Sequence, residues 1–558
     1  MLKKTFLTIA IAAIAATLFY SADNVTGAAS APGVALTGQV SSQEEGRMEG
    51  VLVSAKREDS TITVTVVSDA QGRYSFPSSK LEPGRYALAI RAVGFELENS
   101  QHAEVTAQKA TQLDLKLRKA GDLASQLSNG EWLLSMPGTD EQKQNFLGCI
   151  GCHTVERIAR SKYNAEEFVS VLKRMRNYAQ GSTPQRPQVR PGGREPSPAQ
   201  LQQMTKFAQY VSAINLSKVS KWEYPLKSFP RPKGKATRVI ITEYDLPRPE
   251  AMPHDAVVDA EGMVWYSDFG SQYLGKLDPK TAKAVEYPVP VTKPGAPAGA
   301  LDVGFDPEGN VWLGMMYQGG IAKFDRKTEK FQTWNAPNFM ENNEARLAMV
   351  DAVHLNLDGK LWIGGDNEYQ LDLKTGEWYA VDYSKGLPKD GPRADRLSSY
   401  GVISDSKNNF YGTNLNGQYI IKVDAKTRDV TPFPTPTPNS GPRRGHMDPQ
   451  DRLWFAEFRG NMIGMFDTKT ARTREWAVPI PWTNPYDAVL DKSGYAWTGG
   501  MTNDYVARLN TNTEEIVGYL LPRTTNIRRV NVDNSTGPPT FWIGNNLGAS
   551  IIKIEPLE

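Results

Sequence analysis

The 558 residues carry 64 lysines and arginines against 62 aspartates and glutamates, with two cysteines. That balance gives no argument for nucleic acid or an anionic membrane surface as a partner. The length is too great for one ordinary core, so several domains are expected.

The chain opens Met1-Leu2-Lys3-Lys4, runs apolar from Phe6 to Tyr20 and reaches small residues at Gly27-Ala28-Ala29-Ser30-Ala31. A basic flank, a short apolar core and small residues before a cut site predict a secretory signal over residues 1–31. The apolar core is short for a bilayer span of ~20 residues, so cleavage is expected ahead of a retained anchor. The mature chain is then periplasmic, and nothing later is long and apolar enough to span a membrane.

Residues 32–120 alternate with period two, as in Val51, Val53 and Ala55, then Ile62, Val64 and Val66, then Tyr86, Leu88 and Ile90. Turn residues at Asp69-Ala70-Gln71-Gly72 and Glu82-Pro83-Gly84 separate these runs, predicting a small β-sandwich. The run from Ser68 to Phe76, with Leu81-Glu82-Pro83-Gly84-Arg85-Tyr86 and Gly94-Phe95, resembles the carboxypeptidase regulatory-like domain. The resemblance implies an immunoglobulin-like or prealbumin-like accessory fold without catalysis. His102, near its end, reads as an exposed strand histidine.

Residues 121–222 hold Cys149-Ile150-Gly151-Cys152-His153, the attachment pattern of one covalent c-type haem. The spacing lets each thiol form a thioether while His153 becomes the proximal iron ligand. A zinc site would need further soft ligands nearby, and a thioredoxin-like pair would sit near a βαβ pattern. Asp140 is expected to cap a helix leading to the motif. Asn164 with Glu167 forms a capping-box pattern, followed by Phe168, Val171, Leu172, Met175 and Ala179 at helical spacing. Ser197, Pro198 and Gln200 open another helix. This segment resembles a small class I cytochrome c, whose members carry a methionine ligand on a loop before the last helix. The loop at 181–193 has none. Met175 is the first candidate for the sixth iron ligand, Met204 the second and an open iron the third.

After a proline-rich linker at 223–236, residues 237–558 repeat. Seven anchors, Trp265, Trp312, Trp362, Phe410, Trp454, Trp497 and Trp542, recur every 43 to 50 residues. Four short strands per unit predict a seven-bladed β-propeller. The last unit lacks an outer strand, which Val239 to Tyr244 would supply, closing the ring and removing an exposed edge. The fold class is therefore multidomain and mainly β: sandwich, small helical haem domain, propeller.

Pro253-His254-Asp255-Ala256 with Trp265-Tyr266-Ser267-Asp268 resembles the streptogramin B lyase and SMP-30-like propellers. The lyase resemblance implies a histidine opening an innermost strand and an acidic residue after the anchor, working with magnesium. His254 and Asp268 stand at such places. Blade two has Leu301 and Met315 there, and blade five has Arg443 and Glu457, so the family's second histidine is missing. Asp268 and Glu457 are the candidate ligands of a divalent metal. His254, His354, His446 and Arg444 fall on inner strands and form a candidate catalytic set, since convergent polar groups in a concavity mark a site. Asp255, Asp302 and Asp487 read as ties between strand ends.

The expected function is a periplasmic c-type haem protein that couples electron transfer, through a protein partner, to binding or oxidation of a small molecule at the propeller. The alternatives are a lyase-like carbon–oxygen lyase with an accessory cytochrome, and a non-catalytic electron-transfer and binding module. If the chain is an enzyme, oxidoreduction is expected ahead of elimination, because a lyase has no electrons to dispose of.

Overall fold

The structure, a computed structural model, describes residues 33–193, 195–215, 224–342, 346–387 and 391–557. The expected signal segment lies outside them. Among the described residues no helix is long and apolar enough to cross a membrane.

The N-terminal strands form a mixed β module. Val34–Ser42 pairs antiparallel with Arg73–Pro77 and parallel with Leu115–Lys119. Leu52–Arg57, Ile62–Val67, Gly84–Arg91 and Gln101–Val105 make a second, antiparallel layer. Alternating residues such as Val40, Val53, Tyr74, Phe76, Leu88 and Leu117 are buried in one core. Asp69 Oδ1 accepts from the backbone N–H groups of Gln71 (2.9 Å) and Arg73 (2.8 Å) at the turn before Arg73–Pro77. Gly72 follows at φ +71°, and a Cβ there would meet the Val40 carbonyl at 2.7 Å.

Short helices come next. Thr139, not Asp140, caps Asp140–Gln144, because its hydroxyl accepts from Gln142 N and Gln142 reaches back; Asp140 lies in the first turn instead. The capping boxes at Asn164/Glu167 and Ser197/Gln200 form as expected and open Ala165–Arg176 and Pro198–Ile214. Phe168 and Val171 are buried on the first of these helices. Ala179 leaves that stripe and packs with Met252, Phe269, Leu301 and Met316 of the C-terminal sheets. The linker is strapped down: Glu131 Oε1 accepts from Phe229 N at 2.8 Å and Ser135 Oγ from Lys227 N at 2.7 Å.

The remaining strands form six four-stranded antiparallel sheets resembling propeller blades, and a seventh set of four that is half of a larger sheet. Their innermost strands touch one another in a closed circuit, the last returning to the first. Four of the repeats share one local signature. The Nε1–H groups of Trp265, Trp312, Trp454 and Trp497 donate to Asp259, Asp306, Asp448 and Asp491 at 2.8–3.0 Å. The other oxygen of Asp259 accepts from the turn N–H groups of Glu261 and Met263, so one aspartate joins the turn to the blade core. Neighbouring blades are tied by inner-strand aspartates. Asp255 accepts from Val303 N (3.0 Å), Asp302 from Val350 N (2.9 Å) and Asp487 from Val530 N (3.1 Å).

Val239–Asp245 pairs with Ser550–Pro556 and closes the ring. Its second edge is not left bare, because Ile62–Val67 of the β module pairs with it, making one eight-stranded sheet. The strand therefore serves two cores. Ile241 packs in blade seven and Ile240 in the module, as period-two alternation requires.

Candidate functional site

The inner strands of blades one, five and six begin alike: Pro253-His254-Asp255, Pro442-Arg443-Arg444 and Pro485-Tyr486-Asp487. In each, the pairing register shifts just after the proline. A bulge of this kind re-aims side chains, and here it brings His254, Arg443 and Tyr486 together. Tyr486 OH lies 3.1 Å from His254 Nε2 and 2.8 Å from Tyr400 OH. Arg443 donates to Tyr400 OH at 3.2 Å and to Met501 Sδ at 3.1 Å. Its guanidinium stacks 4.1 Å from the Tyr486 ring and 4.4 Å from Phe458. Arg528 lies over Phe269 and Tyr486 and donates to Asn526 Oδ1.

Electrostatics assign the protons. Burial pushes His254 down to about 4, although Asp255 pulls the other way. The ring is therefore neutral at pH 7, with Nδ1 bonded to Asp255 and Nε2 3.1 Å from the Tyr486 hydroxyl. Burial opposes ionisation of Tyr400, yet the Arg443 charge, hydrogen bonds from Tyr486 and Arg443, and Arg528 outweigh it and bring the phenol down to about 7. The Tyr486 phenol is pushed up by burial and by Tyr400. Tyr400, Tyr486, His254 and Asp255 thus form one chain of hydrogen bonds along which a proton can move.

The helical segment covers this end of the ring. Gly130 N donates to Thr502 O at 2.7 Å, and Gln188 bonds to Gly270 O and Ala298 O. Arg186 reaches Ser271 and Arg346 reaches Gln180. The cysteine loop itself is part of the contact. Asn526 Nδ2 donates to Ile150 O at 3.3 Å, and a Cβ on Gly151 would stand 3.1 Å from an Arg528 nitrogen. Phe146 and Ile150 share an apolar cluster with Tyr486, Phe458 and Met501. Burial pushes the Cys149 thiol up to about 12 and raises Cys152, which Arg528 pulls the other way. His153 is half-buried, with Nδ1 3.0 Å from the Thr154 carbonyl. Leu172 and Phe207 pack against that cluster. Met175 is 36% exposed and Met204 half-buried, each on its own helix.

The expected four-residue set is divided, and His354, expected on an inner strand, lies instead beyond Leu347–Asp351 at the start of the short helix Leu355–Asp358. His354 and His446 line a cavity of about 330 Å³ at the far end, with Asp302, Asp351 and Arg529. His446 Nε2 bonds Asp487 at 3.0 Å. His254 lies at the near end, in the cluster above. Arg444 is fully buried and pairs with Asp302 across the ring, which makes it a brace between blades five and two.

Asp268 and Glu457 each keep to their own blade. Asp268 is held by Arg248 and accepts from Gly270 N at 2.9 Å. Burial and Glu475 push Glu457 up to about 8. No group of three or more potential metal-ligating His, Cys, Asp or Glu side chains occurs among the described residues.

Tyr400, Tyr486 and Arg528 were not singled out in the sequence. Tyr486 was within reach, since it precedes Trp497 by eleven, as His254 precedes Trp265 and Arg443 precedes Trp454.

Solved structures similar to this chain include virginiamycin B lyase from Staphylococcus aureus, 21% identical with a TM-score of 0.47, covering 57% of this chain and 99% of that one. A streptogramin B lyase is 20% identical, with a TM-score of 0.48 and coverage of 58% and 99%. The β-propeller domain of Cps50 (Swd1) from Myceliophteria thermophila is 8% identical, with a TM-score of 0.45 and coverage of 57% and 100%. No curated protein matches the chain. Residues 35–118 match the carboxypeptidase regulatory-like domain, the family that stretch resembles in its turns.

Proposed function

We propose that the chain is an exported c-type haem protein of the periplasm that oxidises a small substrate at the His254–Tyr486–Tyr400–Arg443 cluster and passes electrons to a partner protein. In this reading the ring is a seven-bladed propeller and the helical segment a cytochrome c-like cap. The observation that carries it is the contact of the Cys149–His153 loop with Asn526 and Arg528, beside the cluster. The donor set suits the group. Both thiols are free, and an Nδ1–H donated to the Thr154 carbonyl leaves His153 Nε2 for iron, the usual support of a ligating histidine. Half-buried Leu147, Leu172 and Phe207 beside Phe146 supply apolar walls, while Met175 and Met204 remain the candidates for the sixth position.

When bound, haem takes up and releases single electrons. The chain's own residues handle the proton. Tyr400, held near neutrality, accepts a proton from the substrate as the substrate loses one electron. Tyr486 and His254 let that proton move inward to the Asp255 side. Tyr400 is half-buried whereas Tyr486, His254 and Asp255 are fully buried, so Tyr400 is the outermost member of the chain in this reading.

Elimination is the second reading, and the comparisons stand nearer to it, because two of the similar structures are streptogramin-type lyases. That likeness is one of fold. One set of measurements separates the two. Haem should stay with the denatured polypeptide and be lost in Cys149→Ala/Cys152→Ala. Small phenols, which give up one electron and one proton, should reduce it, at least about tenfold more slowly in Tyr400→Phe with unchanged haem content, within the ordinary range for a lost acid–base group. Magnesium-dependent opening of a cyclic depsipeptide ester, without any haem reduction, would sink the oxidation reading and favour the lyase.

A further inference from the structure

We propose that Arg443 and Arg528 form a carboxylate site, so that the cluster takes a small organic carboxylate with an apolar body. This rests on reading the cluster as the substrate site, and it names the substrate's chemical class.

Arg443 is 7% exposed and Arg528 5%, and neither makes an ion pair among the described residues. Two neighbouring arginines of the ring are matched: buried Arg444 has Asp302, and half-buried Arg529 has Asp487 at 3.3 Å. A desolvated charge without a counter-charge costs several kcal/mol, so two side by side call for an anion. Their neighbours supply partial compensation. Arg443 faces the rings of Tyr400, Phe458 and Tyr486, and Arg528 faces Phe269 and Tyr486. Ring faces attract cations but carry no net charge. The Arg443 Nε–H is buried with no acceptor. A guanidinium fork matches a carboxylate in two parallel hydrogen bonds, and the same aromatic walls would receive an apolar body.

Tyr400 is the internal competitor. Its phenolate can neutralise Arg443, so a bound carboxylate and an ionised Tyr400 oppose each other. Carboxylate binding should therefore weaken as pH rises through 7, in a field set by Arg443, Arg528, Tyr486 and His254.

The test is calorimetry on the full haem-bearing chain with benzoate, and with benzamide as its neutral counterpart. Benzoate should bind at least about tenfold more tightly than benzamide, which corresponds to about 1.4 kcal/mol. Arg443→Gln and Arg528→Gln should each weaken benzoate at least about tenfold, whereas Arg474→Gln, at an exposed surface pair with Glu514, should change nothing. If Arg443→Gln fails to fold, Arg443→Lys, which keeps the charge and loses the fork, should still show a clear loss. Equal affinity for benzoate and benzamide, no binding of either, or full affinity in the glutamine variants would overturn the proposal. So would benzoate binding only to the haem-free Cys149→Ala/Cys152→Ala chain, since the arginines would then serve the haem's own carboxylates. Benzoate binding without substrate-driven haem reduction removes the oxidation reading and keeps the carboxylate site. Haem reduction by neutral substrates without benzoate binding does the reverse.

Discussion

Tyr400 shows how far neighbours can move one side chain. An ordinary phenol ionises near 10.0, and burial alone would raise that value, but Arg443 at 3.2 Å and the Tyr486 hydroxyl at 2.8 Å bring it to about 7. Ultraviolet difference titration should reveal one tyrosinate forming near neutrality, absent in Tyr400→Phe and shifted toward 10 in Arg443→Gln. The folded value is depressed, so the folded state gives up its proton first. The stability this contributes is fully present above the unfolded value of 10, declines as pH falls toward 7, and is gone below it. A wild-type stability that stays flat from pH 7 to 10, after correction with Tyr400→Phe, would contradict this assignment. At His254 burial works the other way, lowering the ring to about 4 although Asp255 pulls it up.

Among the elements, Val239–Asp245 does two jobs that its sequence half declares. An apolar strand ahead of blade one predicts ring closure, and the pairing with Ser550–Pro556 bears that out. Its second partner, Ile62–Val67, could not be foreseen, because any alternating strand offers the same backbone donors and acceptors to either side. Ile241 is fully buried in blade seven, so Ile241→Ala should cost about 2–5 kcal/mol. Calorimetry should record that loss in one transition shared by the β module and the ring, since one sheet runs through both. Two separate transitions, with only one displaced, would show that the eight-stranded sheet is not a cooperative unit. Deleting residues 33–120 should bare the second edge of Val239–Asp245 and promote association between copies, read by light scattering.

Across the whole molecule, the helical segment sits on blades six, seven, one, two and three through Gly130, Gly151, Gln180, Arg186 and Gln188. Gly181 marks the tightest approach. It adopts φ +87°, and a Cβ there would fall 2.2 Å from the Phe269 carbonyl oxygen. Gly181→Val should lift the segment from the ring. Amide exchange at 268–271 should rise, and substrate-driven haem reduction should fall, while haem content stays that of the wild type. Unchanged exchange would mean that the loop at 181–193 does not fasten the segment.

The sequence by itself determined the repeat, the closing strand, the helix caps at Asn164 and Ser197, and the cysteine motif, because each is written in residues close together in the chain. An aspartate six before a tryptophan makes its turn wherever it occurs, and a capping box needs four residues. Tertiary structure alone decided which inner-strand residues meet. His254 and His446 look equivalent on a list of inner-strand histidines, yet they lie at opposite ends of their strands, and a bulge decides which side chains reach the covered end. Tyr400, Tyr486, Arg443 and Arg528 come from blades four, six, five and seven, and ring closure alone brings them within hydrogen-bonding and stacking distance. The docking of the cysteine loop on Arg528 follows from the same closure, since the surface it rests on does not exist until the blades have assembled.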